Sequence, residues 1–414
     1  MKPLPATTYR PGDHLYLWWL ADPAAPRLVG TLTLVKSLRG VSLRYAPDWL
    51  AQGFALSEDL PLRDIEFLPE RDGVVGAVDD ARPDRWGERV IRYLDKPARL
   101  SLLEYLFFAG DERFGALGVS LSASAYQPRW HGPLPSLGDV GELHELVRRI
   151  IAGEPVPAGQ KRLLAPGTLG GARPKALLDI DGRQWVLKFG EGDPFDAPLV
   201  EHASMTLAAR AGIEVAATRA VPLPQGHAVA VQRFDRDGGR RLHALSAHVA
   251  LRAAGEKEMG YPELALLLRR RGVVAGGLYL DQMRELFRRM VFNILIDNTD
   301  DHEKNHALLV DTGGHYRLAP AFDVLPAAQS LGYQQMRVGL QANDSTLDNA
   351  LSEARLFGLN RAQALAEASR VVAAVAGWKA HFADCGVSAG DIDLLAAAID
   401  RPALREQREA LGKS

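Results

Sequence analysis

The sequence has 414 residues, 47% hydrophobic and 24% charged, which suits a globular protein with two or three domains, each burying its own core. Its net charge of −2 offers no whole-chain argument for binding nucleic acid or a membrane surface. The single cysteine, Cys385, excludes a disulfide framework or a Cys-rich zinc site and fits a reducing, cytoplasmic setting.

The N-terminal MKPLPATTYRPGD lacks the apolar core of a signal peptide, and no run approaches the ~18 apolar residues needed to span a bilayer. Residues 14–19 (HLYLWW), 28–35 (LVGTLTLV) and 40–45 (GVSLRY) read as strands, being β-branched and aromatic runs parted by Pro and Gly. Apolar residues three and four apart predict helices over 85–94 and 102–108. Three prolines and two glycines in 126–140 suggest a connection. KALLDI (175–180) and QWVLKF (184–189), joined through Asp181-Gly182-Arg183, predict a hairpin, because Asp-Gly supplies positive φ in a tight primed turn. A helix over 199–211 stopping at Gly212, a strand over 228–234, and an apolar stripe from Leu280 through Leu295 come next. Helices over 361–380 and 390–399 complete the pattern, the latter capped by Ser388 or Asp391. The expected organisation is a β-rich N-terminal subdomain with helices (1–125), a small lobe with a phosphate loop and hinge (126–250), and a helical C-terminal lobe (251–414).

Residues 298–309, NTDDHEKNHALL, contain two incompatible signatures. His302-Glu303-Lys304-Asn305-His306 matches HExxH, in which two histidines one helical turn apart hold zinc. That chemistry needs a helix through 302–306 and a third ligand. The preceding helix instead ends near Asp297-Asn298, and the following residues look like two short strands around Gly313-Gly314. The same window places Asn305 five residues after Asp300, the spacing of a kinase catalytic loop. Phosphoryl transfer needs a phosphate-covering loop, a phosphate lysine, a base and oxygen ligands for Mg²⁺, and candidates occur in that order. Gly167-Thr168-Leu169-Gly170-Gly171 precedes the Lys175 strand, Lys188 lies on the next strand with Glu201 as its candidate partner, and Asp323 lies beyond Asn305. Alone, each residue also has an ordinary structural reading; their joint order favours the kinase reading.

The chain resembles the HipA-type serine/threonine kinases of bacterial toxin–antitoxin modules. The resemblance rests on GTLGGARPKALL (167–178), WVLKFG (185–190), VEHASMTLAARAGIEV (200–215), VQRFDR (231–236), NTDDHEKNHALL and YRLAPAFDVLP (316–326). It is joined by LSEDLPL (56–62), DDARPDRWGERVI (79–91) and GDERFGALGVS (110–120), and spans residues 28 to 330. It implies a protein-kinase-like α/β (α+β) fold of two lobes that takes ATP and Mg²⁺. Asp300 would then be the catalytic base, and Asn305 and Asp323 the magnesium ligands. Gly170, Gly171, Ala172, Arg173, Pro174 and Lys175 would form the phosphate loop, and Lys188 would hold ATP phosphates. Gln232 and Phe234 would lie at the adenine hinge, with His302, Lys304 and Phe322 also near nucleotide. Thr168 falls where the family autophosphorylates a serine, a departure that keeps the hydroxyl and adds a methyl. A further departure is the phenylalanine before Asp323, where a tyrosine is common. The implied partners are a helix-turn-helix antitoxin of the HipB type, operator DNA through that antitoxin, and a protein acceptor of the aminoacyl-tRNA synthetase kind. Two alternatives stay open: a kinase for small molecules such as aminoglycosides or lipids, and a non-catalytic ATP-binding regulator. His306 receives no role.

Overall fold

The aromatic and β-branched runs at the start of the chain pair into one antiparallel sheet. We describe it from a computed structural model, in which residues 9–10, 12–129, 132–157, 160–164 and 171–412 are described. The chain divides into two compact units. One comprises residues 1–189, 233–245 and 309–314; the other comprises 190–232, 246–308 and 315–414.

In the first unit, β1 (His14–Trp19), β2 (Arg27–Val35), β3 (Gly40–Tyr45), β4 (Glu66–Phe67) and β5 (Leu117–Ser120) form a five-stranded sheet in the order β4-β3-β2-β1-β5. Gly30, opposite Tyr45 in this sheet, has no room for a side chain: a Cβ there would lie 2.2 Å from the Arg44 carbonyl oxygen. Helix α1 (Pro47–Gln52) brings Trp49 beside Trp19 and Phe54, and the three rings make an aromatic cluster. Helix α2 (Arg85–Leu94) starts at Asp84, whose Oδ1 accepts from the Gly87 amide at 2.6 Å. Helix α3 (Leu102–Phe108) starts with a Ser101–Glu104 capping box. Helix α4 (Val140–Ala152) follows the proline-rich stretch and ends at Gly153, whose φ of 73° provides the left-handed cap.

Strands β6 (Lys175–Ile180) and β7 (Arg183–Phe189) form the hairpin expected from Asp181-Gly182, and both turn residues have positive φ, 55° and 76°. The returning segment 233–245 explains two of the sequence motifs. Asp235 is fully desolvated yet accepts from Arg233 (2.9 and 2.8 Å), Arg236 (2.9 Å) and the Gly115 amide (2.7 Å). Those contacts hold its carboxyl well below the usual range despite burial. Arg241 pairs with Asp111 at 3.0 Å, and Asp111 also accepts from Tyr126 at 2.6 Å. GDERFGALG and QRFDR therefore meet in one buried ion cluster. The strand expected over 228–234 stops at Gln232 because Arg233 turns into it.

In the second unit, α5 (Ala197–Arg210) precedes the antiparallel pair β8 (Thr218–Pro222) and β9 (His227–Gln232). Helices α6 (Ala247–Ala253), α7 (Tyr261–Arg271) and α8 (Leu278–Leu295) follow, with the short strand Tyr316–Leu318 beyond them. Met283, Leu286, Phe287, Met290, Val291, Ile294 and Leu295 are inaccessible to solvent, so α8 is the core against which α7 and α10 (Arg361–Ala376) pack. Leu280, at the outer end of the predicted stripe, is exposed. Helix α9 (Leu347–Ser352) precedes α10. The helix expected over 361–380 breaks at Gly377 into α10 and α11 (Trp378–Asp384). Helix α12 (Ala389–Ile399) is capped by Ser388, whose Oγ accepts from the Asp391 amide at 3.1 Å, and α13 (Pro402–Gly412) closes the unit. Among the described residues no helix is long and apolar enough to cross a membrane.

Candidate active site

The second unit contains the loop that carried two signatures. Helix α8 ends at Leu295, and the chain turns through Asp297, which has a left-handed φ of 57°. Asp297, Asn298, Thr299 and Asp301 are buried, whereas Asp300 is exposed between them. Residues Glu303–Asn305 form one short 3₁₀ turn, and His302 and His306 on either side are extended. The two histidines are therefore not one α-helical turn apart, as zinc ligation by HExxH requires. Two members of that pentapeptide have other partners. Glu303 accepts from His248 at 2.8 Å, a contact that draws its carboxyl down to about 2, and His306 turns inward.

His306 gains a structural role. Its Nε2 donates to Asp301 Oδ2 at 2.8 Å, and the Tyr261 hydroxyl donates to the same oxygen. Tyr261 Oη accepts from Asn293 Nδ2 at 3.2 Å, and Asn293 Oδ1 accepts from Asn298 Nδ2 at 3.1 Å. Donor directions in this buried chain run one way, so Asp301 receives two donors at the base of the loop. Burial first, then the Asp301 charge, push the Tyr261 hydroxyl well above its ordinary pKa, so it remains a donor.

The segment bearing Asp323 is anchored from both ends. The Ala321 amide donates to Glu214 O at 2.8 Å and the Ala216 amide to Ala321 O at 2.9 Å, while Arg289 holds Ala319 O at 2.8 Å. Asp323 itself has a left-handed φ of 59°. Beyond it, the Ala327 amide donates to Asp297 O at 2.9 Å and the Ser330 amide to Asp297 Oδ2 at 3.0 Å. Arg401 then pairs with Asp297 Oδ1 at 2.6 Å. One buried aspartate thus ties the approach to Asp300, the exit from Asp323 and the start of the C-terminal helix. Asp301, Asn305, His306, Phe322 and Val324 line one small pocket. Asp300 Oδ1 accepts from Gln335 Nε2 at 2.6 Å, and Lys304 points to solvent.

The first unit holds the candidate phosphate groups. Lys175 and Lys188 are direct cross-strand partners on β6 and β7, so both side chains leave the same face of the hairpin. Lys175 pairs with Asp84 Oδ2 at 2.9 Å, with both side chains almost fully buried. Gly171 has φ 90°, and a Cβ there would come within 3.2 Å of Lys175 Nζ. Gly171 and Ala172 are exposed, Arg173 is half-buried and Pro174 is buried, its carbonyl accepting from the Phe189 amide at 2.9 Å. Phe234 lies edge-on to Phe114 at 6.0 Å within this unit, while Gln232 belongs to the second unit and pairs through its amide with Ala217 O at 2.8 Å. Glu201 is buried within α5. Thr168 and Gly170 lie outside the described residues.

The donor chemistry fits the groups the motifs imply. An amide and a carboxylate (Asn305, Asp323) are hard oxygen donors of the kind magnesium takes, and two same-face lysines match phosphate oxygens. Motif spacing did not reveal Asp84, Tyr261, Asp297, Asp301, Gln335 or Arg401. Asp84 and Asp301 stood inside quoted motifs without a role, Asp297 was read only as a helix end, and Tyr261, Gln335 and Arg401 carry no local signal.

A family model described as the HipA-like C-terminal domain matches residues 167–378, and one described as the HipA N-terminal domain matches 24–120. Over 156 residues the chain is 28% identical to the protein Y4dM of Sinorhizobium fredii, and over 138 residues 26% identical to a Haemophilus influenzae protein. Both relatives carry provisional kinase names; the matches cover 35% and 30% of this chain and only 37% and 39% of those relatives. The structure is similar to a chain of the Shewanella oneidensis MR-1 complex of HipA, HipB and operator DNA, described as a toxin–antitoxin system. That likeness covers 96% of this chain and 97% of the other, with a TM-score of 0.64 and 17% identity, and it shows the fold.

Proposed function

The chain belongs to the HipA family, and on that premise we propose that it is an ATP- and Mg²⁺-dependent protein kinase acting on serine or threonine hydroxyls. The observation that carries this reading is the loop 297–306, in which a buried hydrogen-bonded frame around Asp301 leaves Asp300 exposed. Asp300 orients the acceptor hydroxyl and takes its proton. Lys188 and Lys175 steady phosphate oxygens, and Asn305 and Asp323 hold the metal, which, when bound, neutralises charge developing on the transferred phosphoryl group. His302, Lys304 and Phe322 border the nucleotide, Gln232 and Phe234 form the adenine hinge, and residues 170–175 cover the phosphates.

In this reading the protein is the growth-inhibiting member of a toxin–antitoxin pair, held in check by a HipB-type DNA-binding antitoxin that brings it to operator DNA. The described organisation of the Shewanella complex supports that partner class. An aminoacyl-tRNA synthetase is the proposed acceptor, and phosphate on Thr168 the proposed self-inhibition: its roughly −1.5 to −2 charges would sit beside the ATP phosphates. The test is Asp300→Ala, assayed with radiolabelled ATP and Mg²⁺. Transfer falls by about 10²-fold or more while the melting temperature holds; undiminished transfer removes Asp300 as the base.

A further inference from the structure

Helix α2 carries Arg85, Arg89 and Arg92 four and three residues apart, a spacing that puts all three on one face. With Tyr93 they line an open cleft of about 470 Å³, a size within the range of small-molecule sites. Trp86, Val90 and Ile91 on the other side of the helix are buried, so the arginine row is the face left to the surface. Two of the four lining side chains are held by carbonyls at the end of α4. Arg89 Nη2 donates to Ile151 O at 2.9 Å, and the Tyr93 hydroxyl donates to Glu154 O. Ile151 lies in the last turn of α4, where carbonyls have no intrahelical donor. A carbonyl orients a guanidinium without cancelling its charge. Arg85 and Arg92 are exposed, and Arg92 meets Glu88 at 3.2 Å, an ion pair open enough to solvent to be weak.

We propose that this cleft is a second nucleotide site, which takes metal-free phosphates on Arg85, Arg89 and Arg92 and a base against Tyr93. The inference goes beyond the kinase reading above and stands without it. Guanidinium forks match phosphate oxygens two at a time. Seven residues of helix set Arg85 and Arg92 about 10 Å apart along the axis, which leaves room for more than one phosphate. The tyrosine ring adds the stacking surface that a bare phosphate site lacks. None of the four lining side chains is a carboxylate, so the cleft offers no acidic oxygen to Mg²⁺, and its guanidinia supply the countercharge instead. Mg²⁺ therefore competes with this cleft for the phosphates. At the lysine pair, in the reading above, Mg²⁺ assists binding. The opposite metal dependence separates the two sites.

The experiment titrates the full chain with ADP by calorimetry, first in metal-free buffer and then with excess Mg²⁺. Without metal, wild type and Lys188→Met bind ADP equally, and Arg85→Glu or Arg92→Gln weakens that binding about tenfold or more. Arg85 is exposed in the first turn of α2, where the helix dipole favours a glutamate, so Arg85→Glu keeps its melting temperature. Excess Mg²⁺ weakens the binding that Lys188→Met retains. Metal-free binding that is absent, or that is undiminished in both arginine variants, overturns the proposal. Pyrophosphate bound as tightly as ADP overturns the nucleotide assignment, because the base then adds nothing. Metal-free binding that persists while wild type shows no Mg²⁺-dependent binding supports the cleft and counts against the lysine pair.

Discussion

Lys175 and Lys188 face each other across the β6–β7 hairpin, two cations on one side of one ladder. Like charges opposed in this way destabilise a sheet, and Asp84 offsets part of the repulsion from 2.9 Å. An arrangement that costs stability alone gains it when a polyanion arrives. With Mg²⁺ and ATP at about 100 times Kd, unfolding should cost about 2.7 kcal/mol more than without ligand. Lys188→Met should abolish that increment in urea titrations.

Asp84 also caps α2, so its loss is felt twice. Asp84→Asn keeps most of the capping function and removes the charge paired with a buried lysine. We expect about 3 kcal/mol of destabilisation, since breaking one side of a buried pair costs more than the pair contributes. Lys175→Met combined with Asp84→Asn should recover part of it in a double-mutant cycle.

Tyr261→Phe deletes one of the two donors to Asp301 and leaves Asn293 Nδ2 without its acceptor. A loss of about 1.5–3 kcal/mol is expected for a hydrogen bond to a charged group. Turnover should fall with it at temperatures where the fold remains intact, measured below the variant's melting transition.

Much of this framework was visible in the sequence, for reasons that differ by element. Asp181-Gly182 announces its hairpin because the tight turn needs two positive φ values, a local demand. Helix α8 shows itself through one-sided burial over five turns. The His306–Asp301–Tyr261 contact could not be read that way, since Tyr261 stands 40 residues upstream of Asp301 and looks like any helix-starting aromatic. Helix α4 was hidden behind the prolines of 126–140, and the HExxH match decides nothing, because five letters carry no information about whether the backbone is helical.

Arg401→Ala should expose how much the C-terminal helix contributes to the loops. It would leave Asp297 buried without the guanidinium at 2.6 Å, in a site where burial already raises the carboxyl pKa. The expected cost is about 3 kcal/mol or more, and proteolysis at 327–330 should quicken because Asp297 anchors that stretch.

His243 should make the first unit acid-sensitive. Burial pushes its imidazole down to about 4, although its Nε2 donates to Leu56 O at 2.9 Å. The unfolded chain binds a proton near pH 6.5 and the folded chain does so only near 4. Stability is therefore complete above 6.5, falls as pH drops between these values, and levels off below about 4. The drop is on the order of 3 kcal/mol. His243→Gln should flatten that part of the pH–stability curve in urea unfolding.

The ion cluster around Asp235 has a consequence for biosynthesis. Its acceptors and donors at 111–115 are translated more than a hundred residues before Arg233, Asp235, Arg236 and Arg241. A nascent chain that has reached residue 189 holds the whole five-stranded sheet but lacks the charges that close it. Closure of this ion cluster waits for residues 233–245, which emerge only after 190–232 have been made, and the first unit is complete only once 309–314 follow. Expression of 1–189 alone should therefore yield a sheet with an open, polar seam, and a chaperone-bound intermediate of that length is the natural species to look for on the ribosome.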